Sequence, residues 1–281
     1  MITVDENRNS NIRSEHSEEL LNIIENFRLM DDTFMSKVFE DKSCAELLLR
    51  VILNRDDLTV VRVVSQFELK NLQGRSARLD IYAVDEHGKQ YDFEVQRSDD
   101  GAAPRRARYN SSLLDANLLN PGDKFDELPE SYIIFITEHD VLKGGKPLYT
   151  VNRTISELDH AIFTDGSHII YVNGEIRNGT ALGELMQDFF CKDPREMHYK
   201  VLSDRAGYFK KDKEGVDTMC KLMEDYADKR ARQAAELASN ERAVRMANNL
   251  WNKGERDLQQ IADLTDLPLD EVKKLFEGKT A

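Results

Sequence analysis

The sequence has no long apolar run and few cysteines. Runs such as Tyr132 to Ile136 are far too short to cross a bilayer, so no membrane partner is expected. The three cysteines (Cys44, Cys191 and Cys220) are scattered and include no C-x-x-C pair, which argues against a disulfide framework and a zinc ribbon. The first ten residues are polar and charged, without the apolar segment of a secretory signal. We therefore expect a cytoplasmic protein.

The chain is also short of positive charge. It has 39 Lys and Arg against 52 Asp and Glu, which gives a formal net charge of -13 at pH 7. This balance excludes a histone-like protein that coats nucleic acid by charge alone. It still permits an enzyme that binds phosphates locally, because bound metal ions supply positive charge where it is needed.

Several common enzyme motifs are missing as well. The sequence contains no P-loop, no G-x-S-x-G and no G-x-G-x-x-G, so nothing in it supports an NTPase, a serine hydrolase or a dinucleotide-binding enzyme. The six histidines are dispersed, and none is spaced from another His, Cys or acid as in a typical zinc site.

Hydrophobic patterning predicts an α/β protein. Residues 16–29 have apolar side chains at helical spacing. Ser43, with Glu46 three residues later, predicts a capping box at the start of a helix that runs to Leu53. The other predicted elements are a strand over 59–69, a hairpin over 78–96, a helix over 102–119, a buried strand over 131–137 and edge strands near 148–151 and 168–172.

Composition divides the chain into four parts. We expect a disordered N-terminus over 1–15, a globular domain over 16–215, a long helical segment over 216–254 and a small helix-turn-helix-like tail over 255–281. The second helix of the tail has a single basic pair, Lys273 and Lys274, preceded by two acids. A tail that packs or self-associates is therefore favoured over one that reads a DNA major groove.

Two alternating runs, RLDIYAV and QYDFEVQ, flank a DEHGK turn and predict a β-hairpin. If Val84 pairs with Gln90, one face of the hairpin is wholly apolar or aromatic, and a slip of one residue would mix the two faces. On the opposite face Asp80 becomes the direct neighbour of Glu94, with Cβ atoms about 5 Å apart. The predicted apolar face consists of Leu79, Ile81, Ala83, Tyr91, Phe93 and Val95.

Two carboxylates at this separation repel each other unless a cation or a proton compensates them. Oxygens so placed can share one Mg²⁺, which keeps several waters. Such an ion acidifies a bound water and polarises a phosphoryl oxygen, and phosphodiester hydrolysis requires both effects. The residues alone leave a second interpretation open, in which Asp80 and Glu94 are solvated acids on an exposed face and Arg78 compensates them.

The order Asp, turn and Glu-x-Gln on the next strand resembles the PD-(D/E)-x-K nuclease superfamily, which has Lys where this chain has Gln. RLDIYAVDEHGKQYDFEVQ is similar to the PD-(D/E)-x-K nuclease family transposases, also described as recombination-promoting nucleases. Further similar segments follow in the expected order: MDDTFMSKVF (30–39), RRARYNSSLL (105–114), YIIFITEHD (132–140), GGKPLYTVNR (144–153) and IIYVNG (169–174). The resemblance implies that 16–215 forms a restriction-endonuclease-like core of order α-β-β-β-α-β, a mixed sheet flanked by helices, with a helical C-terminal extension.

By the same resemblance, Asp80 and Glu94 are expected to bind the metal, and the Val95 backbone carbonyl is expected to add a ligand. Gln96 takes the position of the Lys that normally steadies the attacking water and the scissile phosphate. The family often has Gln at this position. Its amide donates hydrogen bonds but brings no charge.

Four further side chains are candidates for binding nucleic acid. Arg105 and Tyr109 lie four residues apart and so share a helix face, where they could clamp a phosphate. Arg78, Arg105 and Arg106 are candidates for the charge that Gln96 lacks. Superfamily members often take another acidic ligand from the first core helix, and Glu46 is the candidate here, although the predicted capping box also explains it.

The leading hypothesis is a Mg²⁺-dependent DNA endonuclease, with Mn²⁺ as an alternative ion, associated with recombination or mobile elements. The alternative is a catalytically weak or decayed nuclease scaffold that acts as a DNA- or protein-binding partner in recombination. A third hypothesis is an RNA-cleaving nuclease. The expected partners are DNA and a second copy of the chain, which would bind through the C-terminal helices.

Overall fold

The computed structural model describes residues 18–71 and 74–277 of the chain. The segment 1–15, for which the sequence predicts disorder, lies outside the described residues. Contacts divide the chain into two units, of which the first ends at Cys220 and the second begins at Lys221. Each unit has a hydrophobic cluster of its own.

A six-stranded mixed sheet forms the centre of the first unit. The strands, in chain order, are β1 (Val60–Leu69), β2 (Ala77–Asp85), β3 (Gln90–Gln96), β4 (Ser131–Thr137), β5 (Leu148–Val151), β6 (Thr154–Ile155), β7 (Ala161–Ile162) and β8 (Ser167–Asn173). Strands β6 and β7 form a separate two-stranded ribbon, and the order across the main sheet is β1-β2-β3-β4-β8-β5. Strands β1 to β3 are antiparallel, whereas β3, β4 and β8 run parallel. Strand β8 is therefore an interior strand rather than the predicted edge strand, because β5 pairs with its outer side.

Helices flank the sheet, and one of them is the crossover connection that a parallel pair of strands needs. The helices that lie wholly in this unit are α1 (Glu18–Asn26), α2 (Asp32–Val38), α3 (Lys42–Leu53), α4 (Pro104–Ala116), α5 (Ala181–Phe190) and α6 (Lys200–Lys211). Helix α4 makes the crossover between β3 and β4. The predicted order of helix, three strands, helix and strand is confirmed from α3 through β4. Among the described residues, no helix combines the length and the apolar character that a membrane span requires.

The turn between β2 and β3 is built by its own residues. The Asp85 carboxylate accepts hydrogen bonds from the backbone amides of His87 and Lys89, both at 2.9 Å. Gly88 has a φ of 79°, a backbone conformation that glycine adopts at little cost. This turn sets the register in which the two strands carry their acidic residues toward each other.

The predicted capping box at Ser43 is wrong. Helix α3 begins at Lys42, and its N-cap is Asp41 rather than Ser43. The Asp41 carboxylate accepts a hydrogen bond from the Ser43 amide at 2.8 Å. Glu46 accepts from the Val60 amide at 2.9 Å and forms an ion pair with Arg50 at 2.8 Å. Aspartate is as good an N-cap as serine, so residue type alone does not decide between Asp41 and Ser43.

The two faces of the sheet have separate packing partners. On one face, Phe93 meets Phe39, with ring centroids 5.8 Å apart, and Phe39 stacks on Phe189 of α5. On the other face, helix α4 packs over a cluster of buried residues. We call it the α4-side cluster, and it consists of Leu69, Leu79, Tyr82, Ala102, Ala107, Leu113, Leu114, Ile133, Phe135 and Tyr171.

A 40-residue helix, α7 (Lys213–Asn252), crosses the boundary between the units and is followed by α8 (Leu258–Thr265) and α9 (Leu269–Phe276). The tail helices share a core with the last turns of α7. Trp251 stacks on Phe276, with ring centroids 4.3 Å apart, and Ile261 and Val272 are fully buried beside them.

Candidate active site

The β2–β3 hairpin has the predicted register over four residue pairs, from Val84–Gln90 to Ile81–Phe93. The ladder ends there, so Asp80 and Glu94 do not form the predicted backbone pair. Leu79 also leaves the predicted apolar face, because it packs in the α4-side cluster. Beyond Ile81 the two strands therefore diverge, and the acidic residues lie at the fork.

Asp80 lies at this fork on β2. Its Oδ2 atom accepts a hydrogen bond from the Val95 amide at 3.4 Å, which ties the side chain to β3. Burial, followed by the negative charge of Asp32, raises the pKa of Asp80 to about 6. The opposing arginines, Arg106 and Arg78, lower it only in part.

Glu94 has a fully buried side chain with three hydrogen-bond donors around it. Asn110 Nδ2 donates to one carboxylate oxygen at 3.1 Å, while Gln96 Nε2 at 3.3 Å and the Arg106 guanidinium donate to the other. Burial and the charge of Asp80 nevertheless raise the pKa of Glu94 to about 8. The interpretation of Asp80 and Glu94 as two solvated acids is therefore wrong for Glu94.

Asp92 lies two residues before Glu94 on the same strand. Its side chain is inaccessible to solvent, and no described donor makes a well-formed hydrogen bond to either of its carboxylate oxygens, although the Asn110 amide lowers its pKa in part. Burial, with the charges of Glu94 and Asp80, raises its pKa well above the ordinary value. A buried carboxylate is costly, so Asp92 favours its protonated form unless a cation lies nearby.

The helical acid beside this cluster is Asp32, which the sequence analysis missed. It lies in the first turn of α2, and its charge acts on both Asp80 and Glu94. Burial, followed by the charge of Asp31, raises the pKa of Asp32. Glu46, the helical acid chosen from the sequence, is instead held by the start of β1 and by Arg50, as described above. The MDDTF segment, which belongs to the family resemblance, was the available signal for Asp32.

Helix α4 faces the acidic residues at the fork with a different side from the one predicted. Arg106 and Asn110, which are four residues apart, reach Glu94. Arg105 is exposed, and the Tyr109 hydroxyl donates to the Arg75 backbone carbonyl. The segment RRARYN contains both four-residue pairs, and burial of Ala107 and Leu114 selects the one that faces inward.

Gln96 is held beside Glu94 by a short turn. Arg106 Nη1 donates to the Gln96 side-chain oxygen at 3.4 Å and to the Gly101 carbonyl at 2.9 Å. A Cβ atom at Gly101 would lie 1.9 Å from that same Gln96 oxygen. Residue 101 must therefore lack a side chain for Gln96 to keep this position.

Three buried or half-buried acids thus meet the Arg106 guanidinium and the side-chain amides of Gln96 and Asn110 at the fork of β2 and β3. The model of the PD-(D/E)XK nuclease family transposases matches residues 36–262, most of the chain. The chain belongs to this family. Searches of the curated proteins and of the solved structures gave no match.

Membership of the PD-(D/E)XK nuclease family transposases supports a nuclease- or transposase-like role. Among the described residues, no three His, Cys, Asp or Glu side chains form a ready metal cage. A Mg²⁺ site needs no such cage, because this ion is usually held by one or two carboxylates, with waters and substrate phosphates completing the shell. Asp80 and Glu94 fit that requirement, and a cation beside them would also stabilise the buried carboxylate of Asp92.

A cavity of about 680 Å³ adjoins the acidic residues of this PD-(D/E)XK nuclease family transposase member and is lined by Val95, Gln96 and Asp32 among others. Across it, Arg97 bridges Asp31 at 3.0 Å and Glu138 at 3.2 Å.

Proposed function

We propose that this protein is a metal-dependent DNA endonuclease associated with recombination or mobile elements. The carrying observation is the group formed by the buried acids Asp92 and Glu94 and the half-buried Asp80, whose pKa values are all raised because burial and mutual repulsion outweigh their hydrogen-bond donors and arginines. A divalent cation would supply the positive charge that this group lacks.

The proposed metal ligands are the carboxylates of Asp80 and Glu94 and the backbone carbonyl of Val95, with Mg²⁺ or Mn²⁺ as the ion. Asp32 replaces Glu46 as our candidate for the helical acidic ligand, since its charge acts on Asp80 while Glu46 is engaged by β1. Hard oxygen donors of this kind suit both ions.

A bound divalent ion would make a water more acidic and polarise the scissile phosphate. The Gln96 amide would orient that water by hydrogen bonding. Arg106 would provide the charge that Lys brings in other members of the superfamily, since it contacts both Gln96 and Glu94. Arg78, Arg105 and Tyr109 would contact phosphates farther along the DNA.

Plasmid nicking in the presence of Mg²⁺ or Mn²⁺ tests this function. We expect Asp80→Asn to abolish nicking and to keep its fold, because the change removes a ligand charge without changing side-chain volume. Asp115→Asn is the matched control, since Asp115 is a half-buried acid with a raised pKa on α4 that bonds Ser131 outside the cluster. Nicking by Asp80→Asn at the wild-type rate would contradict the proposal. Parallel assays on RNA separate the RNA-cleaving hypothesis.

The decayed-scaffold alternative is favoured by one observation. Arg106 already acts as a counter-ion to Glu94, and residue 96 has no charge of its own. A scaffold of this kind would bind partners without needing a metal. It predicts no rise in melting temperature when Mg²⁺ or Mn²⁺ is added, whereas a site that binds the ion in the folded state must be stabilised by it.

A further inference from the structure

The alternation of side chains along β1 and β2 is broken at the level of the active site. In a regular strand, residues three apart point to opposite faces. Val64 and Phe67, which are partly buried, nevertheless both pack against the α4-side cluster, and Leu79 and Tyr82 both belong to it. The Phe67 ring stacks on the Tyr82 ring at a centroid distance of 4.5 Å. The side chains of both strands therefore switch from one face of the sheet to the other at the same level, between Val64 and Phe67 on β1 and between Leu79 and Tyr82 on β2.

The cause lies at Gln66. Its φ is 52°, a left-handed backbone conformation in the middle of β1. The register is the same before and after it, with Ser65 opposite Ile81 and Phe67 opposite Leu79. Gln66 therefore lies directly opposite Asp80, and the β1–β2 ladder has no pair at this level although it has pairs on both sides.

Asp80 is thereby released from both neighbouring strands. Its ladder with β1 is interrupted at Gln66, and its ladder with β3 ends one residue away at Ile81–Phe93. Its carboxylate bonds the Val95 amide instead. A residue fixed in two regular ladders would hold its side chain perpendicular to the sheet, so this release allows Asp80 to turn toward Glu94.

We propose that Gln66 is a positioning residue whose left-handed backbone turns Asp80 into the carboxylate group at the fork. Positive φ is uncommon for a residue with a side chain, and such conformations cluster at functional sites. The side chain of Gln66 is exposed, so its packing does not explain the conformation. The functional role of Gln66 rests on the proposed metal-binding function, whereas its effect on the orientation of Asp80 does not depend on that function.

Substitutions that differ in their tolerance of positive φ test the proposal. Gln66→Gly and Gln66→Asn can keep the left-handed conformation, whereas Gln66→Val, which is β-branched, favours an extended backbone. We expect Gly and Asn variants to bind Mn²⁺ like the wild type, measured by the metal-linked rise in melting temperature. The Val variant should bind Mn²⁺ about tenfold more weakly or worse. Glu68→Val is the matched control, because Glu68 is exposed on the same strand with ordinary backbone geometry, and it should not change Mn²⁺ binding.

A second measurement needs no metal. In the metal-free wild type, Asp80→Asn should raise the melting temperature, because it removes a buried charge. In the Gln66→Val background the same change should have little effect, because Asp80 has turned away from the cluster. Equal effects of Asp80→Asn in both backgrounds would overturn the proposal. If the wild type binds no metal, the proposed function fails, and this cycle still decides whether Gln66 positions Asp80.

Discussion

At the residue scale, Arg106 is the cation that contacts the acidic residues at the fork of β2 and β3. It contacts the buried Glu94 carboxylate while its own side chain remains 39% exposed. It can therefore contact a substrate phosphate without leaving the site. Its position one turn before Asn110 also explains how a single helix face supplies both a charge and a neutral amide to the same carboxylate.

Arg106→Met should reduce the rate of metal-dependent plasmid nicking by about a hundredfold, because it removes the cation near the scissile phosphate. Arg106→Lys should retain part of the rate, since it keeps the charge and loses the forked geometry. Arg105→Met is the control, as Arg105 is exposed on the neighbouring face, and should have the smaller effect. Equal losses in Arg105→Met and Arg106→Met would show that Arg106 has no special role.

The acids of the cluster predict a pH dependence. Burial raises the folded-state pKa of Asp80 to about 6 and of Glu94 to about 8. The folded protein thus binds more protons than the unfolded chain between about pH 4 and these values, so stability is present at low pH and is lost as the pH rises through 6 and 8. Metal binding has the opposite trend, because protons compete with the ion for the same oxygens.

Asp92→Asn should stabilise the metal-free protein by about 1–3 kcal/mol at pH 8 and much less at pH 5, because it removes a buried ionisable group without a partner. Urea unfolding at the two pH values measures this difference. A variant that is less stable than the wild type at pH 8 would show that the Asp92 carboxyl has a partner in solution.

At the element scale, the hairpin shows where sequence reasoning succeeds and where it ends. Alternation of apolar and polar residues gave the register from Ile81 to Val84 correctly, because burial of one face fixes it. Alternation did not give the arrangement beyond Ile81, because the side chains change faces where Gln66 has a left-handed backbone conformation. A glutamine residue does not by itself predict that conformation. A glycine there would have been a readable signal.

The choice of acid and of helix face was underdetermined for similar reasons. Asp32 begins a helix of only seven residues, too short for periodicity to identify. Helix α4 contains two pairs at four-residue spacing, and only the packing of the helix on the sheet distinguishes them. The acidic residues on the two strands could therefore be picked out from the sequence, whereas the residues that contact them required tertiary structure.

The short turn after β3 packs against the side chain of Gln96, the last residue of that strand. Gly101→Ala should lower nicking by about tenfold with little change in melting temperature, because a Cβ atom there would displace the Gln96 amide, and misplaced catalytic groups are costly. Gly179→Ala is the matched control, since a Cβ atom at Gly179 would meet nothing within 4 Å. Unchanged nicking in Gly101→Ala would show that the position of Gln96 is not required.

At the scale of the whole molecule, the second unit has its own spectroscopic reporter. Trp251 is the single tryptophan of the chain and lies in the core that α8 and α9 form with α7. Its ring is covered by Phe276 on one side, and the Arg256 guanidinium lies 4.3 Å from its centroid. Tryptophan fluorescence therefore follows the C-terminal unit alone.

Phe276→Ala should destabilise this unit by about 3–5 kcal/mol, because it removes a fully buried ring from a small core. The midpoint of the fluorescence transition should fall, while the metal-linked shift of the nuclease unit stays unchanged. Loss of that shift in the variant would show that the two units fold together. The homodimer through the C-terminal helices stays a prediction, which sedimentation measurements can check.

The Arg106–Glu94 contact has one more consequence. A fold that depends on its ion, like a small zinc module, collapses when a chelator takes the ion away. Here Arg106, with the amides of Asn110 and Gln96, holds the Glu94 carboxylate in place without a metal ion. Dialysis against EDTA should therefore leave a folded but inactive protein, and adding the ion back should restore its activity.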